Sequence, residues 1–201
     1  MTLGLGGSCH RFHTTDMPTI FSLILICLVL VGGTRPIQAD QNDPRLPSLF
    51  ALLEVATNVG EGFYAERIIW SIWTQHPDQE ISALMRTGGE FLASRDYKNA
   101  HEVFGNVVER APKFAEGWNK RATVRYLMGD HEGSVRDIKR TLALEPRHFG
   151  ALSGLGLIYM AIERPESALK AFEKTLEIHP QFVGAQHHIE QIREQLKGEN
   201  L

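Results

Sequence analysis

The chain has 201 residues, of which 43% are hydrophobic and 22% are charged. This is the composition of an ordinary globular protein, and it excludes a disordered or collagen-like chain. The net charge of -3, without a basic stripe, also excludes the usual nucleic-acid-binding proteins.

Residues 1–39 have the pattern of an export signal. Ile20–Val31 is an apolar run interrupted only by Ser22, and it is shorter than the roughly 20 apolar residues that a membrane-spanning helix needs. The small Ala39 and the aliphatic Ile37 suit cleavage by signal peptidase before residue 40. We therefore expect an exported, periplasmic protein. An uncleaved signal anchor, which would tether the chain to the membrane, is the alternative.

Both cysteines, Cys9 and Cys27, lie inside this leader. The mature chain would therefore have no disulfide and no thiolate metal site.

After the leader, the strongest signal is a repeat. Four prolines follow one another at separations of 35, 34 and 34 residues, and three more columns keep the same register. A period of this length indicates a stack of helical hairpins. The prolines are Pro77, Pro112, Pro146 and Pro180; the small residues twelve positions earlier are Ala65, Ala100, Ser134 and Ala168. Eight positions before the prolines stand Ile69, Phe104, Ile138 and Phe172, and twenty-eight before them stand Leu49, Leu84, Trp118 and Leu152.

Each unit reads as two antiparallel helices, A and B. In the last unit, Leu152 and Tyr159 lie on one apolar face of helix A, and Phe172 lies on the matching face of helix B. Gly156 and Ala168 are small because we expect the two helices to approach closely there. Each proline ends a B helix, since proline lacks the N–H group and clashes with the preceding turn.

These columns resemble the tetratricopeptide repeat (TPR) family, most closely in the third and fourth units, and the chain looks like a small exported TPR protein of proteobacterial type. The resemblance implies an all-α fold, a right-handed superhelical solenoid of antiparallel helix hairpins with a C-terminal capping helix. The expected organisation is signal peptide 1–39, linker 40–45, degenerate repeat 46–80, repeats 81–114, 115–148 and 149–182, and capping helix 183–201. The aromatic segment that contains Trp70 and Trp73 is expected to thicken the packing of the first repeat or to cover its end.

We expect no catalysis, no cofactor and no metal. The GxGxxG, GxxxxGK[ST], HExxH and GxSxG patterns are absent after residue 39. His187 and His188 are adjacent on a helix and diverge around it, so they cannot both face one ion. The histidines at 101, 131, 148 and 179 are expected to be solvated or to cap helix ends.

The resemblance implies a concave binding wall made of the A helices. Candidate peptide-binding residues at its inward-facing positions are Phe50, Glu54, Met85, Arg86, Asn119, Lys120, Thr123, Tyr126, Ser153 and Leu157. Arg86, Asn119 and Lys120 could together receive a carboxylate or an extended backbone; the alternative is a solvated polar face. Family members that grip acidic chaperone tails carry Lys and Asn where this chain has Phe50 and Glu54, so that clamp is incomplete.

Arg121 and Arg125 stand in columns that are apolar in the fourth unit, and their spacing places them on one helix face. They either pair with acidic neighbours, for which Glu90, Glu102 and Asp137 are candidates, or form an anion site. Pairing is favoured, because partly buried arginines usually need a fixed partner.

We therefore expect a scaffold that binds a protein or peptide partner, acting as an adaptor or assembly factor in a bacterial envelope. The alternative is a holdase-like chaperone of low sequence preference, and an enzyme is the third option. We expect no nucleic acid and no small-molecule cofactor as partners, and contact with the membrane only through an uncleaved signal.

Overall fold

The computed structural model describes residues 40–198, which form nine helices joined by short turns. The expected leader, residues 1–39, lies outside this part. The helices are α1 (Leu46–Val55), α2 (Val59–Trp73), α3 (Gln79–Ala93), α4 (Tyr97–Arg110), α5 (Ala115–Leu127), α6 (His131–Leu144), α7 (Phe149–Ala161), α8 (Pro165–Ile178) and α9 (Val183–Gly198). The prediction of an all-α fold is confirmed. None of these helices is both long and apolar enough to pass through a bilayer.

The helices pair as antiparallel hairpins, and three of the hairpins stack in chain order. These are α3–α4, α5–α6 and α7–α8, and they contact one another through α4 against α5 and α6 against α7. Helix α9 packs against α8 and covers the end of the stack, as expected for a capping helix. The A helices of this stack are therefore α3, α5 and α7.

Side-chain caps explain where several helices begin. Asp96 and Asp130 accept hydrogen bonds from the backbone N–H groups of Asn99 and Gly133, at the starts of α4 and α6. At the start of α7, His148 does the same with its Nδ1 atom. Helix α8 has Pro165 in its first turn, where the missing N–H group has no intrahelical partner to lose.

The predicted close approach within each hairpin is confirmed at two glycines. A Cβ atom on Gly88 would lie 2.6 Å from the ring of Phe104, and a Cβ on Gly156 would lie 2.6 Å from the ring of Phe172. Both rings are fully buried. The rings occupy the space that a side chain at either glycine would need.

Adjacent glycines of α3 give a matched test of this packing. Gly88→Ala should lower the free energy of unfolding by about 1–3 kcal/mol, because the new methyl group overpacks against Phe104. At Gly89 a Cβ would meet nothing within 4 Å. Gly89→Ala should therefore raise the stability by about 0.5–1 kcal/mol through helix propensity. Urea denaturation of both variants measures the two changes in the free energy of unfolding, which should have opposite signs. Equal changes in the two variants would contradict the close approach of α3 and α4.

The α1–α2 hairpin is placed differently from the others. Its core contains residues such as Leu53, Ala65 and Ile69 and also includes Phe149 of α7, whereas α3 packs chiefly against α4 and not against this hairpin. Instead, α1 contacts α8, and the ring of Trp73 packs against Phe149 at 5.1 Å. The first hairpin thus lies across the turns that connect the later hairpins.

The segment before α1 also contacts a later turn of the stack. The side chain of Gln41 donates a hydrogen bond to the carbonyl oxygen of Lys113 and accepts one from the N–H of Ala115. This contact reaches the turn between α4 and α5. The segment before α1, through Gln41, and the aromatic segment of α2, through Trp73, therefore both cover later turns of the stack.

Candidate functional site

A cavity of about 200 Å³ lies on the inward side of the stack, between α5 and α7. Five of the predicted binding residues line it. These are Asn119, Thr123 and Tyr126 from α5, and Ser153 and Leu157 from α7. Their spacings of three and four residues put each set on one face of its helix, which is why the repeat pattern could bring them together.

The cavity combines an apolar floor with neutral polar groups. Ala122, Ile138 and Ile158 form the floor, and all three are buried. The hydroxyl of Thr123 donates to the carbonyl oxygen of Asn119 at 3.0 Å. No charged side chain is among its lining residues. Such a surface suits an apolar side chain flanked by backbone amides.

Next to the cavity lies a buried carboxylate. Glu116 is 1% exposed, and its Oε2 atom accepts hydrogen bonds from Asn119 Nδ2 at 2.9 Å and from His148 Nε2 at 3.0 Å. Its Oε1 atom forms an ion pair with Lys120 Nζ at 3.2 Å. The structure thus differs from the expected anion site, because Asn119 and Lys120 already bind a carboxylate of the chain itself. Arg86 is exposed on α3 and takes no part in this network.

The hydrogen bonds of His148 assign its tautomer. Nδ1 accepts from the N–H of Ala151 at 3.1 Å, so the proton of a neutral ring is on Nε2, which donates to Glu116. Burial on its own raises the pKa of Glu116, but the charge of Lys120 and the hydrogen bonds from His148 and Asn119 hold this pKa below its usual value. His148 caps a helix as predicted, but it is buried and not solvated.

Arg121 and Arg125 are paired, as the sequence favoured. Arg121 donates from Nε and Nη2 to the two carboxylate oxygens of Asp137, both at 2.8 Å, and Arg125 Nη1 lies 3.1 Å from the same carboxylate. Arg125 also donates to His101, whose pKa is lowered by burial and by the charge of Arg125. These arginines join α5 to α6, and they do not line the cavity.

Three other predicted binding residues lie away from the cavity. Phe50 is 8% exposed in the core of the first hairpin, where its ring lies 5.9 Å from Trp73. Glu54 is exposed on α1, and Met85 is buried with the core of the α3–α4 hairpin. For the first two, the prediction placed α1 at the start of the stacked wall, whereas the first hairpin packs across the later turns.

The repeat pattern did not reveal the residues that join α2 to the inward wall. The ring of Trp70 lies 2.6 Å from the position that a Cβ on Gly150 would occupy, and its centroid is 5.8 Å from Lys120 Nζ. Gly150 and Glu116 both occupy the second position of a repeat, which is an inward-facing position. That shared position is the sequence signal that could have selected them.

Within residues 40–198, no group of three or more His, Cys, Asp or Glu side chains is arranged to hold a metal ion.

Comparisons with known proteins agree with the stack of helical hairpins described above. A family model described as tetratricopeptide repeat matches residues 120–181. A TPR repeat-containing protein of Rhizobium etli is 31% identical over 154 residues, which is 77% of this chain and 76% of that protein.

Solved structures share the fold at lower identity. The first TPR of Spaghetti (RPAP3), bound to the HSP90 peptide SRMEEVD, is 21% identical with a TM-score of 0.57, over 59% of this chain and 94% of that one. The Sgt2 TPR domain from Aspergillus fumigatus is 22% identical with a TM-score of 0.58, over 62% of this chain and 83% of that one. Both are helical solenoids of the same kind.

Proposed function

Because the chain belongs to the tetratricopeptide-repeat family, we propose that it is a non-catalytic scaffold that holds a segment of a partner protein in the cavity between α5 and α7. The observation that carries this proposal is the cavity itself, with its apolar floor and its neutral hydroxyl and amide groups. The structure of a TPR domain bound to a peptide supports it, since that domain shares the fold of this chain.

The charges around the cavity favour a neutral, partly apolar segment as the ligand. The peptide bound to the RPAP3 domain is acidic at its end. In this chain, Lys120 is paired with Glu116, and Arg121 and Arg125 share Asp137, while Asp130 also lies 3.7 Å from Arg125. These cations are already neutralised, so an acidic tail would find little charge to bind.

The pattern of the leader supports a place in a bacterial envelope, where the scaffold would act as an adaptor or assembly factor. Mass spectrometry of the protein from envelope extracts tests the location, and a mature chain that begins at Asp40 is the expected result. A second candidate is a holdase-like chaperone of low sequence preference. The large hydrophobic side chains that α2 exposes, Phe63 at 59% and Tyr64 at 55%, favour this alternative.

Affinity capture with matched variants tests the scaffold. Leu157→Arg places a charge in the cavity and should reduce recovery of a specific partner by about tenfold, which corresponds to about 1.4 kcal/mol of binding free energy. The control is Leu127→Arg, which makes the same change at an exposed leucine outside the cavity. Circular dichroism should show equal helix content in both.

If both variants recover the same partners in the same amounts, the cavity is not the binding site. A holdase predicts a different result, in which Phe63→Ser weakens the suppression of client aggregation more than Leu157→Arg does.

A further inference from the structure

One face of α2 is bound against the rest of the chain. Glu66, Trp70 and Trp73 are spaced by four and three residues, so they share that face. The ring of Trp73 stacks on His148, with centroids 4.2 Å apart, and Glu66 Oε2 lies 3.2 Å from Nε2 of His179. An acidic residue and two aromatic residues thus make the contact.

The surface under this face continues into the proposed binding cavity. Gly150 lines the cavity and also lies against the ring of Trp70, which only a residue without a side chain allows. Phe182 lines the cavity and also a second pocket, which includes Phe63 and Glu66 of α2. The inward wall therefore forms one trough. Helix α2 covers the end of this trough at Gly150 and Phe182, and the cavity between α5 and α7 is the part that α2 leaves open.

The structure also indicates how α2 could leave this trough. The α1–α2 hairpin is joined to α3 by the short segment 74–78, and it does not pack extensively on α3. At the contact itself, the buried Trp73 Nε1 and His179 Nδ1 have no hydrogen-bond partner among residues 40–198. Buried polar atoms without partners make the docked state less favourable than its contact area suggests.

We infer that this end of the trough is a docking site for a partner helix that carries an acidic residue and two aromatic residues at positions i, i+4 and i+7. Helix α2 is its built-in occupant, and a partner helix with the same pattern binds by displacing the α1–α2 hairpin. This inference rests on the proposed function, because it concerns the covered part of the same inward wall. A tethered occupant competes at an effective concentration in the millimolar range, so a free helix binds well only when α2 is weakened.

The test uses a fluorescein-labelled peptide of residues 57–75 and measures its anisotropy on the full chain, with Cys9 and Cys27 changed to Ser. In the first acceptor, Trp70→Ala weakens the docking of α2. In the second, Gly62→Cys and Gln181→Cys lock α2 in place; a Cβ on Gly62 would lie 2.9 Å from that of Gln181, slightly closer than a disulfide prefers. The peptide should bind the Trp70→Ala chain at least about tenfold more tightly than the oxidised lock, and reduction of the lock should restore part of the binding.

Matched peptides identify the binding face. The peptide with Trp70→Ala and Trp73→Ala should lose at least about tenfold in affinity, whereas the peptide with Tyr64→Ala, changed on the exposed face, should keep its affinity. If the labelled peptide binds the oxidised lock as tightly as the reduced lock, or binds neither the reduced lock nor the Trp70→Ala chain, the inference is wrong. The reduced lock keeps Trp70, so this conclusion does not depend on how well the Trp70→Ala chain folds. The anisotropy experiment measures peptide binding only at the end of the trough that α2 covers. Its failure would therefore leave the affinity-capture result with Leu157→Arg, which probes the cavity, unaffected.

Discussion

Glu116→Ala should lower the free energy of unfolding by about 3–5 kcal/mol, the typical result when one partner of a buried ion pair is removed. The carboxylate is 1% exposed, and the change leaves the Nε2–H of His148 and the amide of Asn119 without their acceptor and the ammonium of Lys120 without its counter-charge. Urea denaturation at pH 7 measures the loss. The control is Glu132→Ala, which removes an exposed, helical i,i+4 ion pair with Arg136 and should leave the midpoint unchanged.

The carboxylate of Glu116 also makes the free energy of unfolding fall as the pH is lowered below 4.5. Its pKa is lowered in the folded state from an ordinary value of 4.5, so its contribution is fully present above pH 4.5. That contribution is lost as the pH falls through the lower folded value. Glu116→Gln should therefore flatten the acid side of the stability curve. A wild-type curve with the same slope as that of the variant below pH 4.5 would contradict the lowered pKa.

Asp137→Ala should have an effect of similar size, about 3–5 kcal/mol. It leaves the partly buried guanidinium of Arg121 without a counter-charge, and it leaves that of Arg125 with only the half-exposed carboxylate of Asp130, 3.7 Å away. The side chains of Arg121 and Arg125 are 14% and 18% exposed, and both bind this one carboxylate. Thermal and urea denaturation should show the loss. The structure gives no other carboxylate in a position to replace Asp137 for Arg121 within residues 40–198.

The fourth repeat supplies a rescue variant for this prediction. At the positions equivalent to Arg121, Arg125 and Asp137 it carries an apolar set, Leu155, Tyr159 and Ala171. Making that set in the third repeat, with Arg121→Leu, Arg125→Tyr and Asp137→Ala together, should restore most of the stability, since apolar groups can replace a buried ion pair without loss. A triple variant as unstable as Asp137→Ala alone would show that the loss has another cause.

The fold was predictable because its signal is repeated along the chain. The prolines mark the helix ends, and Gly88 and Gly156 mark where an aromatic ring of the partner helix enters. The five predicted residues around the cavity come from α5 and α7, which keep the regular stack. Local spacing was enough to place them.

What the sequence could not show depends on contacts between distant residues. The role of Glu116 requires His148, 32 positions away, and the place of α2 requires Gly150 to receive Trp70. A repeat pattern assigns each residue by its position within one unit, so it placed Phe50 and Glu54 on the inward wall. The same pattern could not reveal that Asn119 and Lys120 serve a carboxylate of the chain itself.

In a simple array of hairpins, a disturbance passes only from each hairpin to the next. Here the side chain of Gln181, just before the last helix, donates a hydrogen bond to the carbonyl oxygen of Ala56, 125 positions earlier. The early and late ends of the chain therefore share a border. A change beside the last helix therefore reaches the first hairpin directly, without passing through the hairpins between them.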